Sequence, residues 1–343
     1  MHIVDFVPDL RPTILAAREM RDPRNVLSRF LPYQAVNSVS YRLGRARRND
    51  RVVPVRAVDA PSVPIRRPGL IEITGDLPLI TPREDFTEQD LTTEMMIAQQ
   101  LSGAAVDWQP TVDKAAGRVA LVIDNTFEAM RGQALSTLGL SLESADGVIH
   151  DVSFGADAAQ ITTAATAWNA PGATVLEDFL AAAANHVDIA GVKPGAILTS
   201  SRVRRTLLNA LQERLPTTYV GMSTLETWLM DNDLPMITTY DRMYTNADDV
   251  KTRYYPEGSI TFLPDMEEGI GFTELGITQE AVHQTQRIQP NGAVALDPKE
   301  VAGITVVTMG QDDPVQRAVK GAALGMPVIA DIDQVTVLNG LFS

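Results

Sequence analysis

The 343-residue sequence contains no cysteine. Disulfides, thiolate nucleophiles and zinc–thiolate sites are excluded together, which fits a chain made in a reducing cytoplasm. Histidine is nearly as scarce: His2, His150, His186 and His283 are the only four, and none stands in HExxH or beside a carboxylate at ligand spacing. Each reads as a surface or structural residue. A GxxxxGK[ST] phosphate loop and a GxSxG nucleophile elbow are both missing. Gly269, Gly271 and Gly276 in GIGFTELG come nearest to a dinucleotide fingerprint, but their spacing is wrong and the segment reads as a turn. No apolar run approaches the ~18 residues of a membrane span. Asp5 and Asp9 stand where a signal peptide would carry a basic end and an apolar run, so a soluble, unexported protein is expected.

Two acidic groups remain as candidates for metal. Asp331 and Asp333 in ADIDQ would share one face if that segment were a strand. Asp248, Asp249, Glu257, Asp265, Glu267 and Glu268 cluster in loop-like sequence. Solvated charge accounts for both groups better than coordination does. The sequence thus assigns no catalytic, cofactor-binding or metal-ligating residue, and no cofactor.

What the chain does have is apolar content, 45% of its residues, enough to fill two or three packed units. It also has a lopsided charge. The formal net charge is −14, yet residues 1–67 carry +7 and the remainder −21. Six arginines, Arg42, Arg45, Arg47, Arg48, Arg51 and Arg56, fall within the eighteen residues SYRLGRARRNDRVVPVRA. Three readings of this strip stand side by side. It could contact nucleic-acid phosphates, although only Tyr41 supplies interleaved aromatic surface and the acidic bulk would repel a polyanion. It could dock by guanidinium–carboxylate pairing on the acidic body of another copy. It could simply keep a β edge soluble.

Along the chain, residues 1–34 read as an arm with a short helical candidate from Pro12 to Met20. Residues 35–80 alternate like strands but are punctuated by Pro54, Pro61, Pro64, Pro68 and Pro78, which suits edge strands. This long two-stranded excursion has few large apolar side chains and should lie against something else, another subunit being a reasonable candidate. Thr81, Pro82 and Glu84 predict a helix start, continued by Leu91, Met95, Ala98 and Leu101. Ala116, Val119, Ile123, Phe127, Met130, Ala134 and Leu138 form the strongest helical stripe, from about Val112 to Thr137. A hairpin is predicted around Asp146-Gly147. From Thr174 to Ile277 a mixed α/β unit is expected. Its helices are capped by Thr174 with Glu177 and by Ser223 with Glu226, a further helix spans SRVRRTLLNALQERL, and strands lie in GAILTS, PMITTY and GSITFLPD. β character returns in AGITVVTMG and MPVIADIDQVTVLNGLF.

This order of parts resembles the major capsid proteins of tailed bacteriophages, specifically the lambda-like phage major capsid protein E family with its Hong Kong 97 fold. The resemblance is one of layout over nearly the whole chain. It implies an α+β capsid fold divided into an N-terminal arm (1–34), an extended β-hairpin E-loop (35–80), a peripheral domain with a long spine helix (81–173), an axial domain (174–290) and C-terminal strands returning to both (291–343). It further implies a non-enzymatic virion shell subunit, assembled in the bacterial cytoplasm as pentamers and hexamers of an icosahedral head. The expected partners are other copies, a scaffolding protein, a portal and, in some relatives, a trimeric decoration protein; double-stranded DNA is enclosed without specific recognition and no membrane is involved. Loop-to-neighbour docking is what such a fold would do with the six arginines. The alternatives are an encapsulin-like compartment shell and a soluble α/β enzyme with an unfamiliar site near Gly269 to Gly276.

Overall fold

The computed structural model describes residues 21–36, 38, 40–46, 70–102, 109–143, 149–216, 219–246, 248–265, 269–282, 302–313 and 315–342. The helical candidate from Pro12 to Met20 lies outside them. The first described strand, β1 (Tyr33–Ala35), is followed by β2 (Ser40–Ala46) and β3 (Leu70–Asp76). These two form an antiparallel ladder from Ser40–Asp76 to Ala46–Leu70 and, among the described residues, pair only with each other.

Next come β4 (Leu79–Ile80) and β5 (Arg83–Phe86). The helix expected to start at Thr81 begins later, as α1 (Glu88–Ser102). Its cap is Thr87, whose hydroxyl accepts the Asp90 N–H while the Asp90 carboxylate accepts the Thr87 N–H at 3.0 Å. Residues 83–86 alternate between exposed and half-buried instead, because they pair with a late strand described below. Long-range pairing overrides a local capping signal. Met95, expected on the packed stripe of α1, is exposed together with Met96 and Ile97.

The long helix α2 spans Gln109–Thr137, about 43 Å at 1.5 Å per residue. Ala116, Val119, Ile123, Phe127, Ala134 and Leu138 are buried as the stripe predicts, with Met130 half-buried. Full burial of Ile123 and Phe127 contributes about 1.5–3 kcal/mol each. A hairpin follows, β6 (Gly139–Glu143) against β7 (Ile149–Ser153); its expected turn at Asp146-Gly147 lies outside the described residues. After β8 (Ile161–Thr163) come α3 (Val175–Ala190), β9 (Ala196–Thr199), α4 (Ser201–Arg214) and α5 (Met222–Asp231).

The start of α3 was anticipated, but Thr174 makes no capping bond: its hydroxyl donates to the Asp178 carboxylate at 2.8 Å. Helix α5 starts one residue before the expected Ser223 cap, with Gly221 at the capping position. The remaining strands are β10 (Ile237–Thr239), β11 (Met243–Thr245), β12 (Lys251–Arg253), β13 (Ile260–Leu263), β14 (Gly271–Gly276), β15 (Thr305–Asp312), β16 (Val315–Ile329) and β17 (Thr336–Asn339).

Two sheets organise these elements. In the first, β16 is the common partner. Leu324 pairs with both Gly276 of β14 and Leu79 of β4, and residues 317–320 pair with both β15 and β5. So β14 and β15 lie end to end along one edge of β16, with β4 and β5 along the other. The glycine-rich segment expected to be a turn is therefore a strand, β14, held between β1 and β16. Helix α2 packs across this sheet, where Ile123 and Phe127 meet Leu275, Val306 and Val319.

The second sheet has the order β10-β9-β13-β17-β8. Helices α3, α4 and α5 cover it through Phe179, Val203, Leu207, Leu211, Leu225 and Leu229. Asp331 and Asp333 sit at a single 3-10 turn, Ile332–Gln334, that carries the chain from one sheet to the other. They share no strand face, so the geometry that motivated a metal pair is not present.

The two sheets meet at α2. Gly132 lies so close to the segment after β12 that a Cβ on it would stand 1.7 Å from the Tyr254 carbonyl oxygen. Gly132→Ala must push helix and strand connection apart, because a backbone atom cannot rotate away. We expect a loss of about 3 kcal/mol, measurable as a lowered denaturant midpoint with an unchanged slope.

Candidate assembly surfaces and a buried carboxylate node

Two carboxylates one turn apart on α2, Asp124 and Glu128, gather the first described residues of the chain. The side chain of Asp124 accepts the Asp22 N–H at 3.0 Å, the Asn25 amide at 2.7 Å and the Tyr33 hydroxyl at 2.6 Å. Glu128 accepts the Leu27 N–H and the Tyr240 hydroxyl, both at 2.9 Å. Arg131, three residues on, donates to Glu128 at 3.2 Å and to Thr273 of β14 at 2.9 Å, and its guanidinium stacks 4.3 Å from the Tyr33 ring centre. Both Glu128 and Arg131 have 0% exposure.

From the second sheet's side Arg242 completes the cluster. It donates to Asp22 at 2.5 Å and to Asn25, and lies over the Tyr254 ring. One node thus ties residues 22–33, α2, β14 and the β10–β12 region together.

Burial pushes the Glu128 carboxyl above the usual carboxylate range, opposed by the Leu27 N–H, Arg131 and Tyr240. Asp22 moves the other way, down to about 2, chiefly because Arg24 hydrogen-bonds its carboxylate and Arg242 adds its charge. Sequence reasoning missed this cluster. Asp124, Glu128 and Arg131 repeat at helical spacing beside the apolar stripe, but opposite charges at i, i+3 are also the ordinary pattern of a solvated helix face, so the sequence carried no distinguishing signal.

The arginine strip is placed only in part. Arg42 and Arg45 lie on β2, opposite Thr74 and Ile71 of β3; Arg47, Arg48, Arg51 and Arg56 lie outside the described residues. The root of that hairpin is anchored by Tyr41, which is buried in the main core and lies across Gly75, where a Cβ would stand 2.5 Å from the tyrosine oxygen.

Beside that root runs an open groove of about 1700 Å³. One wall is the hairpin base with Leu79, another is α2 at Val122, Asn125 and Ala129, and the β6–β7 and β11–β12 hairpins close the remaining sides. His150 lines it, exposed on β7. His186 is buried under Phe262, bonded through Nδ1 to Thr336 at 3.1 Å, and pushed down to about 4 by burial. His2 and His283 lie outside the described residues. Of the acidic loop cluster, Glu257 is not merely solvated: it pairs with Arg202 and Arg253, both at 3.0 Å. Among the described residues no three His, Asp or Glu side chains converge as metal ligands, and no helix is long and apolar enough to cross a membrane.

Two parallel observations show what kind of fold this is. The chain superimposes on the crystal structure of a putative prophage capsid protein from E. coli CFT073 with a TM-score of 0.61, at 13% identity, over 96% of this chain and 98% of that one. A phage-related protein from Bordetella bronchiseptica gives 0.57 at 11% identity, over 96% of each chain. The fold is that of phage capsid proteins. A family model described as phage major capsid protein E matches residues 23–335, and the chain belongs to that family. An encapsulin from Synechococcus elongatus PCC 7942 superimposes with a TM-score of 0.40 at 13% identity, over 99% of this chain and 92% of that one. No curated protein sequence matches.

Two outcomes are expected from the node. Removing Glu128 as Glu128→Ala strands a buried guanidinium and should cost about 3–5 kcal/mol, whereas Glu128→Leu with Arg131→Met should recover most of that in chemical denaturation. The carboxyl of Asp22 is held below its ordinary 3.8 in the folded state. Its contribution is therefore present above pH 3.8 and lost as pH falls from 3.8 towards 2. Asp22→Asn should flatten that part of the acid-unfolding curve followed by circular dichroism.

Proposed function

We propose that this major capsid protein builds the icosahedral head of a tailed bacteriophage, assembling as pentamers and hexamers in the bacterial cytoplasm with the help of scaffolding and portal proteins. In this reading residues 1–34 are an N-terminal arm and 35–80 an E-loop. Residues 81–173 form a peripheral domain whose spine is α2, 174–290 an axial domain, and 291–343 the strands that return to both. The chain acts as a structural element and not as an enzyme. Packaged double-stranded DNA is enclosed by an acidic wall that does not adhere to it, and a trimeric decoration protein is a further partner.

The observation that carries the assembly reading is the β2–β3 ladder. A two-stranded ribbon is marginal in water by itself, and this one, among the described residues, shares no sheet with the rest of the chain. It also leads into a strip with six arginines in a protein whose remaining residues are strongly acidic. Such a ribbon is stabilised by lying on an acidic neighbour, which supplies both contact area and charge.

Expression of the full chain with its scaffold should yield closed particles by electron microscopy, containing nucleic acid when packaging is complete. Monomers in sedimentation, or shells filled with protein cargo, would overturn the phage-head reading. Replacing Arg45, Arg47, Arg48 and Arg51 with Ala should cut particle yield by about tenfold near 0.15 M salt while leaving the melting curve of the subunit in place. An unchanged yield with unchanged salt sensitivity would exclude docking by the strip.

A further inference from the structure

Among the described residues one imidazole is buried, and neither the carboxylate node nor the assembly surfaces use it. His186 sits on α3 with 0% exposure, packed against β17 of the second sheet. Its Nδ1 meets the Thr336 hydroxyl at 3.1 Å, while its Nε2 has no hydrogen-bond partner. The Phe262 ring lies 6.2 Å away, centre to centre. Neither neutral tautomer satisfies both nitrogens. The imidazolium is worse placed, since it brings a charge and two N–H donors into a site with one acceptor and no counter-ion.

The surroundings explain why no counter-ion is at hand. The strands beneath the ring, β13 and β17, carry no charged residue. Helix α4 turns Val203, Leu207 and Leu211 to the shared core, and its arginines and Glu213 lie off that face. At the two 3-10 turns packed on α3, Ala158–Gln160 and Ile332–Gln334, the acids are Asp157, Asp331 and Asp333. None pairs with the ring, and Asp331 accepts the Gln334 amide instead. On α3 itself Glu177 and Asp188 are exposed, and Asp178 accepts Trp168 and Thr174. Burial alone therefore acts on His186 and holds it at about 4 instead of the ordinary 6.5.

The seam is also weak and close to water. Gln334, in the adjoining turn, leaves its Oε1 buried without a partner, a further cost that opening relieves. His186 stands four residues before the end of α3 at Ala190, and its neighbours Val187 and Asp188 are exposed. Fraying of the final turn, the least protected part of a helix, is enough to hydrate the ring. Once hydrated, an imidazolium near a helix C-terminus is favoured by the helix dipole.

We propose that His186 is a proton-operated latch on the second sheet: as the neutral base it closes the seam between α3 and β17, and as the cation it holds the last turns of α3 open while the first sheet stays folded. The latch operates within one chain, so it is independent of the shell-subunit reading given above. Its direction follows from linkage. The closed seam keeps the imidazole at about 4 and the open seam returns it to 6.5, so the closed form is fully favoured above 6.5 and loses ground as pH falls from there towards 4. Between about pH 7.5 and pH 5 the open population rises about 30-fold. Glu128 and Glu274, whose carboxyls burial pushes up, respond with the opposite sign and belong to α2 and the first sheet.

Hydrogen exchange of the full, unassembled chain, read by mass spectrometry at about pH 7.5 and pH 5 and corrected for the intrinsic exchange rate, tests the latch. Peptides covering 182–190 and 336–339 should lose protection about 30-fold at the lower pH. Those covering 113–137 and 319–329 should not. His186→Phe and His186→Gln remove the titrating group, and whichever of them folds should protect the seam equally at both pH values. Exchange of the imidazole C2 hydrogen needs no variant, and for His186 it should titrate at about 4. A midpoint at the ordinary 6.5, parent seam protection that does not change with pH, or pH dependence that survives without the imidazole would each overturn the proposal.

Discussion

The structure depends on a charge pair that has no access to water. Glu128 and Arg131 are fully buried on α2, where the cost of removing two ions from water is offset by their mutual attraction and by hydrogen bonds to each, while the Arg131 Nη2 finds no hydrogen-bond partner among the described residues. Leu27 and Tyr240 supply donors to the carboxylate and Thr273 an acceptor to the guanidinium, from three separate parts of the chain. An apolar core would hold these parts together with similar strength but less definition. The ion pair accepts one arrangement of the N-terminal segment, the helix and the two sheets, and penalises displaced ones. That matters for a subunit whose copies must meet at repeated angles.

Around that node the division of labour follows from residue type. Helix α2 presents aliphatic and aromatic side chains to the first sheet, carboxylates to the N-terminal segment, and a half-polar face with Val122, Asn125 and Ala129 to the groove. A 29-residue helix has enough turns to serve all three. The hairpin β2–β3, by contrast, is fastened to the core chiefly at its root, by Tyr41. Among the described residues it shares no sheet with the rest of the chain, and a two-stranded ladder is marginal in water by itself.

Much of this architecture was legible in the sequence, and the parts that were not share a cause. The stripe from Ala116 to Leu138 announced α2, because seven apolar positions at 3.6-residue spacing admit few other readings. The strands GAILTS and GSITFLPD were plain, being short, apolar and bounded by turn residues. The arginine strip was visible as composition alone. The strand β14 was misread as a turn because its terminal glycines, Gly271 and Gly276, look like turn residues. They serve instead to let backbones approach, since a Cβ at Gly271 would stand 2.0 Å from the Val328 carbonyl. The stretch VQRAVKGAALG, which opens β16, shows no alternation, for most of it is buried on both faces. The helix start at Thr81 was displaced because pairing with β16 claims residues 83–86. The carboxylate node and the groove were out of reach for a simpler reason: each is assembled from at least four segments distant in sequence, and no local pattern encodes their meeting.

The placement of the last two strands also sets a schedule. Strand β16 lies at the centre of the first sheet, and β17 lies between β13 and β8 inside the second. The first sheet cannot close before Ile329 has left the ribosome, nor the second before Asn339. A growing chain holds α2 and most strands but neither finished sheet, and contacts so distant in sequence form slowly. The emerging polypeptide therefore has neither finished sheet to offer its neighbours. The order of translation thus leaves the β2–β3 ladder complete long before the sheets that it stands beside.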